Sequence, residues 1–276
     1  CKAGPSAFER AESTDRSRLG SADLGTLPTS FAEGEVEIEQ GNADVEISAA
    51  ARGQQRLVLS ELEAGLTDHK NTTRFARPLA IRGLYVNAWA AGSRTRMDAL
   101  LDVAQRTEIN AFVIDIKDAS GYVSHPTELE FAHEVGATEE IRIHDLPALL
   151  ARLEQEQIYP IARIVIVKDP LLIHAQREWA VQDTAGGVWV DGNGSLWANL
   201  HDQRVWDYHV DLAKEAAAVG FPEIQWDYIR FADAPPEHLL RATYPGADGR
   251  RRRDVVEGFL EYARAELEDS GVDVTL

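Results

Sequence analysis

Residues 202–233, DQRVWDYHVDLAKEAAAVGFPEIQWDYIRFAD, hold a helical pattern and a strand pattern back to back. Asp202 to Val219 repeats its apolar residues at helical spacing, and Gly220 stands where a helix-ending glycine belongs. Glu223 to Arg230 is then rich in β-branched and aromatic side chains, as strands are. Inside that strand sit Gln225, Asp227 and Arg230. A carboxylate is almost never buried without a partner, so Asp227 suits a strand that ends in a cleft better than one lost in a core.

The same alternation extends outward in both directions. Leu79–Asn87, Ala111–Lys117 and Tyr159–Val167 read as strands. Ser93–Thr107 reads as a helix, with Met97, Leu100, Leu101 and Ala104 at i, i+3, i+4 and i+7. Asp145–Gln157 is another, with Leu146, Leu149, Leu150 and Leu153 on one face and Asp145 as N-cap. Asp254–Ser270 places Val256, Phe259, Leu260, Ala263 and Leu267 inward, and Val272–Leu276 begins a fifth strand.

Strands alternating with helices of this length imply parallel strands and right-handed crossovers. The chain is α/β, and the choice lies between a (β/α)8 TIM barrel and an open doubly wound sheet. The turn after the first strand, Asn87 to Gly92, is no dinucleotide fingerprint. Polar residues instead gather at the C-terminal ends of successive strands, where barrel active sites sit. A barrel needs eight strands and five are legible. The expectation is a barrel truncated after the start of strand five, and a chain of residues 1–276 that is inactive or poorly stable alone.

Three segments precede or form this unit. Residues 1–33 read as a disordered tether. Residues 34–77 read as a small acidic β-rich segment and linker, with Glu35–Glu39 and Asp44–Ser48 alternating polar and apolar. Residues 78–276 carry the barrel. Cys1 is the single cysteine, so no internal disulfide forms. A chain opening on Cys before small polar residues fits a lipoprotein anchored at a lipidated Cys1, with an arbitrary fragment boundary as the alternative.

Of the 276 residues, 46 are acidic and 28 are Lys or Arg, a formal charge of −18. That argues against nucleic acid as the partner, since phosphate binding rests on Lys and Arg; neutral or basic ligands fit better. The histidines show no metal-ligand spacing, so neither a metal nor a cofactor is expected. Oligomeric state is not legible.

Strand alternation puts Asp115 and Lys117 on one face, Gln225 and Asp227 on one face, and Tyr85 with Asn87. With Arg163 added, Asn87, Asp115, Lys117, Arg163 and Asp227 converge if those faces point inward. The plainer alternative is a buried ion pair of Asp115 with Lys117 or Arg163. Between Asp169 and Asp202, Val188–Val190 reads as part of a hairpin over the cleft, with Trp179, Trp189 and Trp197 in the same loop. Tryptophan faces suit sugar rings, although for each one singly packing the hairpin onto the barrel is the better reading.

The blocks IRGLYVNAWAAGS, NAFVIDIKDASGYV, YPIARIVIVKDPLL and GFPEIQWDYIRFAD resemble, in order and spacing, a bacterial glycoside hydrolase-like domain family formerly known as a domain of unknown function. The resemblance covers about residues 78–276 and implies a (β/α)8 fold, an extracytoplasmic location and a carbohydrate substrate. The family's Asp-x-Lys-Asp block falls on Asp115, Lys117 and Asp118, and its Asp-Tyr-Ile-Arg-Phe block on Asp227 to Phe231. Trp226 and Ala232 stand where the family commonly has Phe and Pro.

The expected activity is cleavage of glycosidic bonds in a poly- or oligosaccharide. Asp227 is the nucleophile or stabilising carboxylate, and Asp115 and Asp118 are the candidate acids. Lys117 and Arg163 keep Asp227 ionised. Asn87, Trp89, Lys168, Trp197, Gln225 and Arg230 complete the candidate substrate contacts. The competing class is a non-catalytic, envelope-tethered carbohydrate-binding barrel.

Overall fold

The computed structural model describes residues 74–276. The tether expected over 1–33, the acidic segment up to residue 73 and Cys1 lie outside the described residues.

Five strands, β1 (Gly83–Val86), β2 (Ala111–Lys117), β3 (Tyr159–Val165), β5 (Glu223–Asp227) and β7 (Asp273–Thr275), form one parallel sheet in the order β1-β2-β3-β5-β7. Each neighbour pair is joined by a helical crossover. Short α1 (Ala88–Ala91) and α2 (Arg94–Gln105) follow β1; α3 (Glu130–Glu134) and α4 (Leu146–Gln155) follow β2. After β3 come α5 (Pro170–Ala175), the two-residue β4 (Gln182–Asp183) and α6 (Gln203–Val219); after β5 come α7 (Pro236–Leu239), β6 (Ala242–Thr243) and α8 (Arg252–Leu267). The strands rise in sequence order around an arc, as in a (β/α) barrel, and the arc is not closed: β1 and β7 are its edges.

Local chemistry sets the helix ends. Asp145 accepts the Ala148 N–H at 2.9 Å and Asp202 that of Arg204 at 3.0 Å, satisfying donors that a helix start leaves orphaned. Gly220 ends α6 at φ 120°, a conformation open to glycine and strained for other residues. Leu146, Leu149, Leu150 and Leu153 are all buried, as the period required. In α8 the fully buried stripe is Val255, Phe259, Ala263 and Leu267, so Val256 and Leu260 sit at its margin rather than its centre. β1 is shorter than its apolar run, and Leu79 is wholly exposed.

The segment between α5 and α6 does form an antiparallel flap, with bridges Ala180–Ala198, Gln182–Val188 and Val190–Leu196 and a pairing of β4 with β6. The Ala198 N–H donates to the Val167 carbonyl at 2.9 Å, fixing the flap beside the end of β3. Trp189 and Trp197 are each 2% exposed, so they bind the flap to the body. A buried aromatic of this size removes roughly 150–250 Å² from water. Among the described residues no helix is long and apolar enough to cross a membrane.

Candidate active site

Four side chains from four adjacent strands form a line across the C-terminal side of the sheet. Asp115 and Arg163 are register partners, and Arg163 is in turn level with Gln225. Asp227 lies one pleat further on, paired with Val165. The arginine is long enough to span that step. Its Nη1 meets Asp115 Oδ1, while Nε and Nη2 lie 2.7 Å and 2.5 Å from Asp227 Oδ2. From β1, the Tyr85 hydroxyl donates to Asp115 Oδ2.

The two carboxylates therefore have different environments. Asp115 is buried, with both oxygens occupied; burial pushes its pKa up, outweighing the hydrogen bonds from Tyr85 and Arg163. The Tyr85 phenol is pushed up to about 12, first by burial and then by its bond to Asp115. Arg163 is held charged, because its bonds to the two aspartates overcome the burial that acts against it. The Asp227 side chain is 40% exposed and opens onto a cleft of about 580 Å³ lined by Arg163, Tyr228, Ile229 and Arg230 among others. Its Oδ1 accepts the Tyr228 N–H at 2.6 Å. Tyr228 has φ 54°, a left-handed backbone uncommon for a non-glycine residue and over-represented at active sites and ligand clamps. That kink also ends β5 at Asp227 and not at Arg230.

Lys117 is a correction. The β2–β3 register shifts between Asp115 and Lys117, so that Asp115 pairs with Arg163 but Lys117 pairs with Ile164. This β-bulge at Ile116 adds one residue and moves Lys117 to the opposite face of the sheet. There it is wholly buried, 2.8 Å from Asp169 Oδ2, and it donates to the Val165 carbonyl at 2.9 Å. His209 of α6 completes the cluster, with Nε2 4.0 Å from the same Asp169 oxygen; burial and the Lys117 charge keep its pKa well below the usual histidine range. Lys117 thus serves the sheet–helix interface, on Asp169 and the Val165 carbonyl, and is not part of the Asp227 site.

Asp118 lies at the rim. Its burial acts to raise its pKa, but hydrogen bonds from Ser120 and Arg142 prevail and lower it. It stays ionised and paired, a poor proton donor. Asn87 is a second correction: β1 ends at Val86, and the Asn87 side chain caps α1 by accepting the Ala90 N–H at 2.9 Å. Trp89 remains 56% exposed, backed by the Arg142 guanidinium 5.2 Å from its ring centroid. Trp197 presents no free face: Lys168 Nζ stands 3.9 Å over its ring, and its Nε1 donates to Asp191 at 2.9 Å. Lys168 is itself paired with that aspartate at 3.3 Å. Arg230 is exposed, over the Tyr228 ring at 5.0 Å and the Trp197 ring at 5.6 Å. Gln225 is half-buried one pleat behind Asp227. Tyr85 is the group that sequence reading did not assign to the site; its signal was its place on the site-facing side of the first strand.

The fold and the carboxylate–arginine line define a (β/α) barrel-type protein with a strand-end site of the kind such barrels use. The family described as "Putative glycosyl hydrolase domain" matches residues 83–276, and the chain belongs to it. A crystal structure of a hypothetical protein from Ruminiclostridium thermocellum is similar at 35% identity and TM-score 0.63, covering 70% of this chain and 95% of that one. The GH20 exo-β-N-acetylglucosaminidase of Vibrio harveyi shares the fold at 15% identity and TM-score 0.50, over 74% of this chain and 35% of its own. No curated protein matches the chain.

Proposed function

We propose that the chain acts on glycosidic bonds of a poly- or oligosaccharide, with Asp227 as the ionised carboxylate that attacks or stabilises the oxocarbenium-like transition state. One observation carries this reading: among the described carboxylates, Asp227 combines exposure to the cleft with a fixed orientation, one oxygen held by Arg163 and the other by the Tyr228 N–H. Asp115 orients Arg163 from behind and has no open path to a leaving group. Glycoside hydrolysis also needs a protonated acid near the leaving oxygen. Asp115 is enclosed and Asp118 is held ionised by Ser120 and Arg142, so neither is assigned that role; the second reading is a barrel that binds glycans without cleaving them.

Release of new reducing ends from a panel of polysaccharides tests the two. Turnover by the wild-type chain, lost in Asp227→Asn with folding and glycan binding retained, supports hydrolysis. Binding without product supports the second reading. Turnover undiminished in Asp227→Asn refutes the assigned role. The extracytoplasmic location implied by the family resemblance belongs to the same proposal, and cell fractionation tests it.

A further inference from the structure

Three cations stand in or beside the cleft, and they differ in what they are bound to. Arg163 is shared between Asp115 and Asp227. Lys168 is paired with Asp191 at 3.3 Å and lies over Trp197. Arg230 lines the cleft beside Asp227, and among the described residues it has neither a carboxylate partner nor a hydrogen bond from its guanidinium. It is nevertheless positioned, with its guanidinium carbon 5.0 Å from the Tyr228 ring centroid and 5.6 Å from that of Trp197. Both distances fall within the range of cation–π attraction.

The backbone explains the position. The left-handed turn at Tyr228 ends the strand, and Asp227 and Arg230, three residues apart in sequence, line one cleft. The Trp197 ring is buried by its own flap and fixed through its Nε1 on Asp191. A rigid aromatic surface therefore stands beside a guanidinium whose donors remain unused. A guanidinium held on aromatic surface offers a planar fork that matches a carboxylate or sulfate in two hydrogen bonds. Neutral hydroxyls use such a fork less well. Elsewhere at this end of the sheet the protein neutralises its arginines with its own acids, as with Arg142 by Asp118 and Glu140.

We infer that Arg230 forms an anion-recognising subsite of the Asp227 cleft and that the glycan bound there is acidic, bearing a carboxylate or a sulfate group on a sugar close to the reacting bond. This rests on the reading of the cleft as a carbohydrate site and adds its substrate class. The overall charge of −18 points the other way for ligands at a distance. Beyond about 8 Å at physiological salt that field is largely screened, so the contact with Arg230 decides.

The test is direct binding to the full chain carrying Asp227→Asn, which stops turnover. Four oligosaccharides of equal length serve as probes: a uronate-containing one, its carboxyl-reduced analogue, a sulfated one and its desulfated analogue. The expected result is roughly a ten- to hundredfold preference for at least one acidic member over its neutral analogue, the scale of one charge-assisted pair of hydrogen bonds. Arg230→Gln should collapse that preference, and Arg230→Lys should keep part of it. A preference confined to the uronate identifies a carboxylate as the anion; one confined to the sulfated probe identifies sulfate. Equal affinity for acidic and neutral members overturns the inference while leaving the carbohydrate reading intact. So does a preference that survives in Arg230→Gln. No binding of any probe overturns both. Arg230 is exposed, and an unchanged near-ultraviolet circular dichroism spectrum confirms that the variants fold.

Discussion

Arg163 is level with Asp115 in the sheet but one pleat behind Asp227, and its guanidinium bridges both. The exposed carboxylate of the cleft is thereby tied, through a single fork, to a buried carboxylate that Tyr85 holds from the far side. A lysine ammonium is a point charge on a flexible stem and lacks the planar fork that sets the spacing of these contacts. Arg163→Lys should therefore uncouple the two aspartates. Activity, or glycan affinity if the chain only binds, should fall on the order of a hundredfold, with stability lowered by about 1–3 kcal/mol. Parallel kinetics and urea unfolding measure this; wild-type behaviour in both would show that the bridge is dispensable.

The buried Lys117–Asp169 pair gives a stability prediction separate from catalysis. Lys117→Met removes the cation 2.8 Å from Asp169 and leaves that wholly buried side chain only the Leu172 N–H and the more distant His209, and removing one partner of such a pair costs about 3–5 kcal/mol. Lys117→Met combined with Asp169→Leu should recover most of that loss, since apolar replacement of a whole buried pair is often neutral. Thermal denaturation of the three variants checks it. Equal destabilisation by the single and double substitutions would contradict the pairing.

His209 is wholly buried and its pKa lies well below the ordinary 6.5. As pH falls below about 6.5 the unfolded chain takes up a proton that the folded chain excludes. Stability is therefore full above that value and declines below it, down toward the depressed folded pKa, with a limiting slope of about 1.4 kcal/mol per pH unit. His201, also lowered, by burial first and then by Arg250, adds to the same window. Urea unfolding between pH 5 and 7.5 should show the decline, and His209→Leu should make it shallower. An identical slope in the variant would exclude His209 as its source.

Gly92 has no room for a side chain. A methyl group there would come 1.7 Å from the Arg142 carbonyl oxygen, although φ is −77° and the backbone itself is unstrained. Gly92→Ala should displace the loop that carries Arg142, lower stability by about 1–3 kcal/mol, and loosen the stacking behind Trp89. Unfolding curves together with Trp89 fluorescence measure both effects; a variant as stable as wild type would show that the loop yields freely.

The four long helices and the inner strands were legible because their signals are local, while the short α1, α3, α5 and α7 carry too little periodicity to read. Asp145 and Asp202 cap the helices they precede, and the apolar periods of α4 and α6 name their buried faces. β2 begins and ends where its apolar run does. The strand ends facing the site were less legible, since a left-handed Tyr228 and a capping Asn87 replace strand by turn without any change of composition. Of the expected convergence, Asp115, Arg163 and Asp227 meet, while Lys117 and Asn87 do not. For Trp197 the packing alternative holds rather than the sugar platform: its ring is closed off by Lys168 and Arg230, a fact of tertiary packing that no spacing encodes.

The extra residue at Ile116 has a wider meaning for β2. Up to Asp115 the strand keeps step with its neighbour, and after it the strand is out of step by one. One short run of chain can thereby send an acid to the cleft and, two residues later, a base to the opposite interior. Deleting Ile116 would remove the bulge yet leave Lys117 level with Ile164 on the face away from Asp115, whereas a regular strand that kept Ile116 would turn Lys117 toward Arg163 and strand Asp169 without its cation. The extra residue is what lets an acid and a base two positions apart in sequence serve opposite sides of one sheet.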